Sequence, residues 1–213
     1  ITKGAKDLIM YYQINDGDTL SYDSTFTISR TSNLKAWAMK NNRYYGKSIE
    51  RVFYMHKALN ASVSELNPYS DGYSGGGDIS VINGIRGGVN FRDGHWQGYF
   101  GNDFEATITF ESIQRIDSVV TSFYQYNLSW IFMPKMILVY TSIDGSNYYK
   151  RAMFKPQISA RKDGQFFNEF IISFPEVAAK YVKVKAINHG DCPDWHPAAG
   201  SKSWLFVDEV RIY

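Results

Sequence analysis

Cysteine is almost absent from this chain, with a single residue, Cys192, among 213. It can form no internal disulfide and no cysteine metal cluster. Lying between Asp191 and Pro193, it reads as a structural or incidental thiol. An excess of charge of one sign is also missing: the formal net charge is +2 and no basic stripe stands out, which argues against a nucleic-acid partner. No run is apolar and long enough to enter a membrane, and no segment has the layout of a signal peptide. The chain opens on Ile1, already in a strand-like pattern, so it is expected to be a processed piece of a larger protein. Sustained helical periodicity is missing as well. Aromatic side chains are plentiful, at 16% with 16 Tyr and 14 Phe, and that balance favours β structure.

Length allows one large domain or two smaller ones, and the turn pattern divides it in two. From Leu8 to about Phe53 run short strand candidates, LIMYYQI, TFTIS and LKAWAM, with turns at Asn15–Asp18 and at Asn41 and Asn42. These predict a small antiparallel sandwich over residues 1–57, ending where mixed charges cluster around Lys57. The Gly-rich stretch YSDGYSGGGD from Tyr69 is too flexible for a strand and too aromatic for an inert linker. Further strand candidates follow: SVING, the DGHWQGYFGND segment, EATITF, RIDSVVTSFYQY, MILVYTSIDGSNY, NEFIISF, YVKVKAI and WLFVDEVRIY. Residues 58–213 therefore predict a jelly-roll type β-sandwich. Asp144 and Gly145 supply the positive φ of a tight hairpin turn.

The segment DCPDWHPAAGSKSW, from Asp191, is the most informative for function. A period-two strand, YVKVKAI, precedes it and the last strand follows, so a rigid sheet presents a polar and aromatic loop at its rim. Trp195 and Trp204 read either as platforms for a flat-faced polar ligand such as a sugar or as plugs of the barrel end. Asp194 and His196, two apart, could form a dyad, but no serine elbow accompanies them. Two carboxylates for glycoside hydrolysis could be drawn from Asp191, Asp194, Asp208 and Glu209. Adjacent Asp208 and Glu209 point to opposite faces of a strand, and the loop acids have turn roles available. The run Gly75–Gly77 lacks the Lys and hydroxyl of a phosphate cradle. With four scattered His, transition-metal spacing is absent. A hard cation is the better candidate: INGIRGG from Ile82 could turn carbonyls inward while Glu209 supplies a carboxylate, or it is an ordinary turn.

The ordered set NGIRGG from Asn83, DGHWQGYFGND from Asp93, WIF from Trp130, TSIDGSNY from Thr141 and WHPAAGSKSWLFVDEVRIY from Trp195 resembles the discoidin, or coagulation factor V/VIII C-type, domain. More closely it resembles the family 32 carbohydrate-binding modules of bacterial glycoside hydrolases, over about Ala58 to Tyr213. Ahead of it, MYYQINDGDTLSYDSTFTIS and LKAWAMKNNRYYGKS resemble the short β-sandwich after the catalytic barrel of chitobiases and other family 20 β-N-acetylhexosaminidases. The resemblance implies an all-β chain, a small Ig-like β-sandwich followed by a discoidin-type jelly roll. It also implies a parent hexosaminidase whose catalytic domain is a partner outside this sequence.

The same resemblance implies a structural Ca²⁺ held by Asn83, the carbonyls of Ser80, Ile85 and Gly88, and Glu209. Asn83 departs from the family's usual Asp, and a neutral amide oxygen is the weaker ligand. Sugar contacts are expected from the loops Tyr69–Gly77, Phe123–Trp130 and Asn188–Gly200. Tyr69, Tyr73 or Trp195 would supply a stacking ring, and Asn127, Asp194 and His196 would bond hydroxyls. The expected ligand is an N-acetylhexosamine or galactose-type glycan, with no catalytic residue, no membrane insertion and a periplasmic, cell-surface or secreted bacterial setting. The rival expectation is a bracing or dimer-contact role with the loop aromatics buried. Lipid-headgroup binding is disfavoured, since Lys202 and Arg161 make too thin a basic rim.

Overall fold

The computed structural model describes residues 7–64 and 66–213 and divides into two compact units, Ile1–Met55 and His56–Tyr213. Both are built from antiparallel strands, as the aromatic-rich, helix-poor sequence predicts.

The smaller unit is a four-stranded sheet of β1 (Ile9–Ile14), β2 (Leu20–Ser21), β3 (Ser32–Lys40) and β4 (Arg43–Phe53), in the order β2-β1-β3-β4. Asn41 and Asn42 close the β3–β4 hairpin with φ of 50° and 59°, the left-handed pair that a two-residue turn matching strand twist requires. Among the described residues this unit has one sheet, so the second layer of an Ig-like sandwich is not formed. The TFTIS segment alternates like a strand but enters no ladder. It contributes Phe26 instead, whose ring stacks on Tyr12 with centroids 4.3 Å apart.

The larger unit contains β5 (Ser62–Ser64), β6 (Gln97–Phe100), β7 (Phe104–Gln125), β8 (Met136–Ser142), β9 (Tyr149–Phe154), β10 (Phe166–Ile187) and β11 (Trp204–Ile212). The order is β6-β11-β7-β10-β8-β9, with β5 added to β7. Strands β7 and β10, 22 residues each, organise the rest. They pair from Phe166↔Gln125 to Ser173↔Ser118 and again from Tyr181↔Thr109 to Ala186↔Phe104, with register shifts between the two stretches. Such irregularities bend strands sharply, so each long strand serves two packed layers. One layer includes β11 and β6; the other includes β5, β8 and β9.

Between the layers lies one core of Phe104, Ile108, Phe123, Val139, Val184 and Leu205, all fully buried, with their neighbours. Each such side chain stabilises the fold by about 1.5–3 kcal/mol. A second cluster of Phe91, Trp96, Tyr124, Ile131 and Phe206 forms separately. Tyr124 and Phe206 alternate along their strands with core residues Phe123, Leu205 and Val207, so the β7–β11 region is covered on both faces.

Two local expectations are met differently. The SVING segment is not a strand: Asp78–Ile82 is a 3-10 turn, burying Ser80, Val81 and Ile82 in succession where a half-buried strand would alternate. The Asp144–Gly145 turn does join β8 to β9, and Gly145 has φ 76°. The Asp144 carboxylate accepts the N–H groups of Ser146 and Asn147 and the Ser142 hydroxyl, which holds its pKa well below the usual carboxylate range.

Candidate functional site at the loop end of the larger unit

Because β7 and β10 each turn through two layers, both of their ends reach one end of the unit. Gln125, which ends β7, shows how that end is held together. Its amide donates to the carbonyls of Ser159 (2.8 Å) and Lys162 (3.2 Å), and its oxygen accepts the Met133 N–H (3.4 Å). The Lys135 N–H bonds the Ile187 carbonyl at 2.8 Å. The segments 126–135, 155–165 and 188–203 therefore converge.

The 188–203 loop is internally tied. Buried Asn188 donates its amide to the carbonyls of Tyr99 and Asn102 and accepts from Ser203 Oγ and the Gly190 N–H. The backbones of Cys192 and Ser201 are bonded, and Lys202 Nζ lies 2.9 Å from Asp191. Cys192 is buried, which raises its thiol pKa and keeps it an inert packing group.

His196 is the rivet between this loop and the next. Its Nδ1 accepts the Ala198 N–H at 3.1 Å, so Nε2 carries the proton and donates to the Asn127 carbonyl at 2.8 Å. At 5% exposure, with both nitrogens engaged, the imidazole braces the loop and has no nitrogen left for a sugar hydroxyl. Asn127 is buried too. Its Nδ2 reaches Asp163 at 3.3 Å, and its Oδ1 has no hydrogen-bond partner among the described residues. Trp195 is half-buried, edge-on to Phe132 and His196, with the Arg161 guanidinium 4.6 Å from its ring centroid. Asp194, beside it, is exposed.

The structure thus brings together Asn127, Asp194, Trp195 and His196. Tyr69 and Tyr73 belong to other surroundings. Tyr69 donates to Asp78 at 2.7 Å and packs edge-on to Tyr99. Tyr73 packs against Phe91, Trp204 and Phe206, and lines a separate cleft of about 400 Å³ with Phe91, Arg92 and Trp96. Trp204 joins the aromatic cluster, contacting Tyr73, Phe100 and Phe206.

Sequence reasoning missed a cleft of about 480 Å³ among the converging segments, lined by Met133, Lys135, Met136, Lys155, Pro156 and His189, with others. Its volume falls in the ~300–1,000 Å³ range of small-molecule sites. Its one local signal is a pair of Lys–Pro contacts in the chain, Pro134–Lys135 and Lys155–Pro156, set in otherwise strand-like sequence.

Away from this end, the Asn83–Gly88 turn meets the last strand. A register shift between Val207 and Val210 lets consecutive Asp208 and Glu209 both be buried, each 1% exposed, where simple alternation would expose one. Asp208 accepts from Ser122 Oγ and from the Gly87 N–H (3.0 Å), and burial pushes its pKa up to about 7. Glu209 Oε1 accepts the Gly84 N–H at 2.9 Å and lies 3.1 Å from His56 Nε2. Since His56 Nδ1 takes the Ala58 N–H at 3.3 Å, Nε2 is the donor. Burial, with Arg211 adding to it, lowers His56 to about 4, so the contact is a hydrogen bond from a neutral ring rather than an ion pair. Burial pushes Glu209 up to about 8.

For the expected cation, Glu209 Oε2 is the feature that fits: a buried carboxyl oxygen without a hydrogen-bond partner among the described residues. The turn itself is already bonded, with Asn83 Oδ1 accepting the Ile85 N–H and the Gly88 carbonyl accepting Trp96 Nε1–H. Gly87, the first of the closing glycine pair of NGIRGG, serves packing: a Cβ there would lie 2.2 Å from Trp96 Nε1.

No protein-family model matches this sequence, and no curated protein does. Among solved structures it is similar to a family 32 carbohydrate-binding module of a family 31 glycoside hydrolase from Clostridium perfringens. That likeness has 12% identity and a TM-score of 0.47, covering 74% of this chain and 92% of that one. It is also similar to the second chitosan-binding module, in complex with chitotriose, of a chitosanase/glucanase from Paenibacillus sp. IK-5, with 17% identity, TM-score 0.45 and coverage of 73% and 98%. A Ruminococcus gnavus family 29 fucosidase shows 13% identity and TM-score 0.49, with coverage of 75% of this chain and 26% of the enzyme. These likenesses are distant, and the all-β, two-layered architecture of the larger unit stands on its own strand order and register.

Proposed function

We propose that the larger unit is a non-catalytic carbohydrate-binding module that docks a glycan at its loop end. In this reading the chain is the accessory C-terminal region of a secreted bacterial glycoside hydrolase of the β-N-acetylhexosaminidase kind. The supporting observation is the half-exposed ring of Trp195 on a loop already fixed by Asn188 and His196, beside a concave cleft. A ring on a pre-ordered loop loses little entropy on binding, and a sugar's C–H face offers it apolar contact while exposed Asp194 reaches hydroxyls. Asn127 and His196 act behind this surface as its supports. One such site binds weakly, and its benefit is effective concentration, holding a tethered catalytic domain near its polymer. An N-acetylhexosamine and galactose-type glycan array on the intact chain tests the reading; no saturable binding to any member contradicts it.

A structural Ca²⁺ belongs to the same proposal: Ser80, Asn83, Ile85, Gly88 and Glu209 would hold it, with Glu209 Oε2 as its carboxylate ligand. An ion bound only by the folded state raises the melting temperature by mass action. Equal melting in excess Ca²⁺ and in chelator would remove it.

For the smaller unit an interaction role is favoured by a specific observation. Strand β4 exposes Tyr44, Tyr45 and Ile49 at 72%, 57% and 62%, an apolar edge that suits contact with another protein surface such as the proposed catalytic domain.

A further inference from the structure

The 480 Å³ cleft has a composition that Trp195 and its neighbours do not explain. Its floor is apolar, from Met133, Met136, Pro156 and Ile158, and it is lined by two ammonium groups and no carboxylate. Lys135 and Lys155 come from different segments, each next to a proline that fixes the local backbone. Both are exposed, and among the described residues neither makes an ion pair or hydrogen bond through its side chain. Elsewhere in this unit Lys183 and Lys185 pair with Glu105, and Lys202 with Asp191. The nearby acid, Asp191, is therefore already offset by Lys202, whose bond is the larger cause of its lowered pKa, with Lys135 a minor one. The chain as a whole is nearly neutral at +2, so this pair of cations is a local feature and not a sample of a basic surface.

The walls are also held in place. Gln125 clamps both lysine-bearing segments through Ser159, Lys162 and Met133, and Phe132 stacks behind His189 at 4.9 Å and 25°. Burial, and then the Lys135 charge, lowers the His189 pKa. Its ring is thus neutral near pH 7, an uncharged hydrogen-bonding group in the lining of the same cleft.

From this geometry we propose that the cleft is a glycan subsite selecting sugars with a negatively charged substituent, a carboxylate or a sulfate, which Lys135 and Lys155 receive from two sides. The apolar floor takes the C–H face of the ring, and His189 meets a hydroxyl. Ammonium groups suit both substituents because they bind as point charges without the fixed fork of a guanidinium. This rests on the glycan-binding reading above and narrows its ligand class.

The test is calorimetric or NMR titration of the intact chain with matched pairs: galactose and galacturonate, glucose and glucuronate, N-acetylgalactosamine and its 6-sulfate. The expected result is that at least one charged member binds about tenfold or more tighter than its neutral partner. Its affinity should fall by a similar factor in Lys135→Gln/Lys155→Gln, with an unchanged circular dichroism spectrum, and be kept in Lys135→Arg/Lys155→Arg. A preference confined to the sulfate pair or to the uronate pairs identifies the substituent. Neutral and charged members binding alike, or charged binding that ignores the Gln variant, overturns the inference and leaves glycan binding intact. Failure of every sugar to bind overturns both.

Discussion

In the larger unit, Trp96, Tyr124 and Phe206 are almost wholly buried in one aromatic cluster, and the Trp96 Nε1–H is bonded to the Gly88 carbonyl. In the smaller unit the aromatic residues of β4 stand out from the sheet, Tyr44 at 72% and Tyr45 at 57% exposure. Composition alone does not separate these regions, because both are rich in Tyr and turn residues. What separates them is layering. In the larger unit β7 and β10 cross between two layers and a second cluster covers the outer face, so its loops rest on a fixed base. The smaller unit is one sheet among the described residues, and its aromatic surface remains available for contact.

The largest expected effect tests that contrast directly. Trp96→Ala removes a buried ring that packs on Tyr124 and bonds the Gly88 carbonyl, and should cost about 3–5 kcal/mol in chemical denaturation. Tyr45→Ser in the smaller unit should change stability by no more than about 0.5 kcal/mol. Comparable losses for the two would erase the distinction.

His196→Ala should come next, at about 1–3 kcal/mol, because it leaves the Asn127 carbonyl and the Ala198 N–H without their partner. Sharper amide exchange in segments 126–135 and 188–203 than elsewhere would locate the loss. Unchanged stability and exchange would mean the ring is not a brace.

How far these roles were legible in the sequence differs by level. Alternation in EATITF and YVKVKAI marks one half each of β7 and β10, whose apolar residues enter the core, and Asp144–Gly145 marks its hairpin. The continuity of β10 was hidden by Pro175, which reads as a strand breaker. It lies between Ser173 and Val177, at the register shift, where a missing N–H removes no regular ladder bond. At the site, the loop 188–200 was legible from its composition. The role of His196 was not, because its partner is 69 residues away and only the folded chain brings them together. The same holds for Lys135 and Lys155, which no local motif joins, and for consecutive burial at Asp208 and Glu209, which needs an irregular register.

A smaller effect concerns the Asp144 turn, exposed like β4 yet ordered by hydrogen bonds. Its folded pKa is depressed by the Asn147, Ser146 and Ser142 donors, so its stabilising contribution is present above the unfolded value of 3.8 and is lost as pH falls through the folded one. Asp144→Ala should lower the melting temperature at neutral pH, and the gap to wild type should narrow on acidification below that unfolded value. A gap that widens with acid would contradict the sign.

The smallest effect on stability, in Tyr44→Ser/Tyr45→Ser, is expected to have the clearest effect on association. Sedimentation with the proposed catalytic domain should show weaker complex formation while the circular dichroism spectrum is retained. Equal association by the variant would take β4 out of the interface.

Glycan binding by the larger unit requires the loop end to be a ligand surface. Its most direct test is to titrate the ¹⁵N-labelled intact chain with the sugar found to bind and follow the indole N–H signals. Saturable movement of the Trp195 signal is predicted, with the buried Trp96 signal still, and binding should be lost in Trp195→Ala at an unchanged circular dichroism spectrum. Saturable binding that leaves the Trp195 signal in place and persists in Trp195→Ala would contradict it.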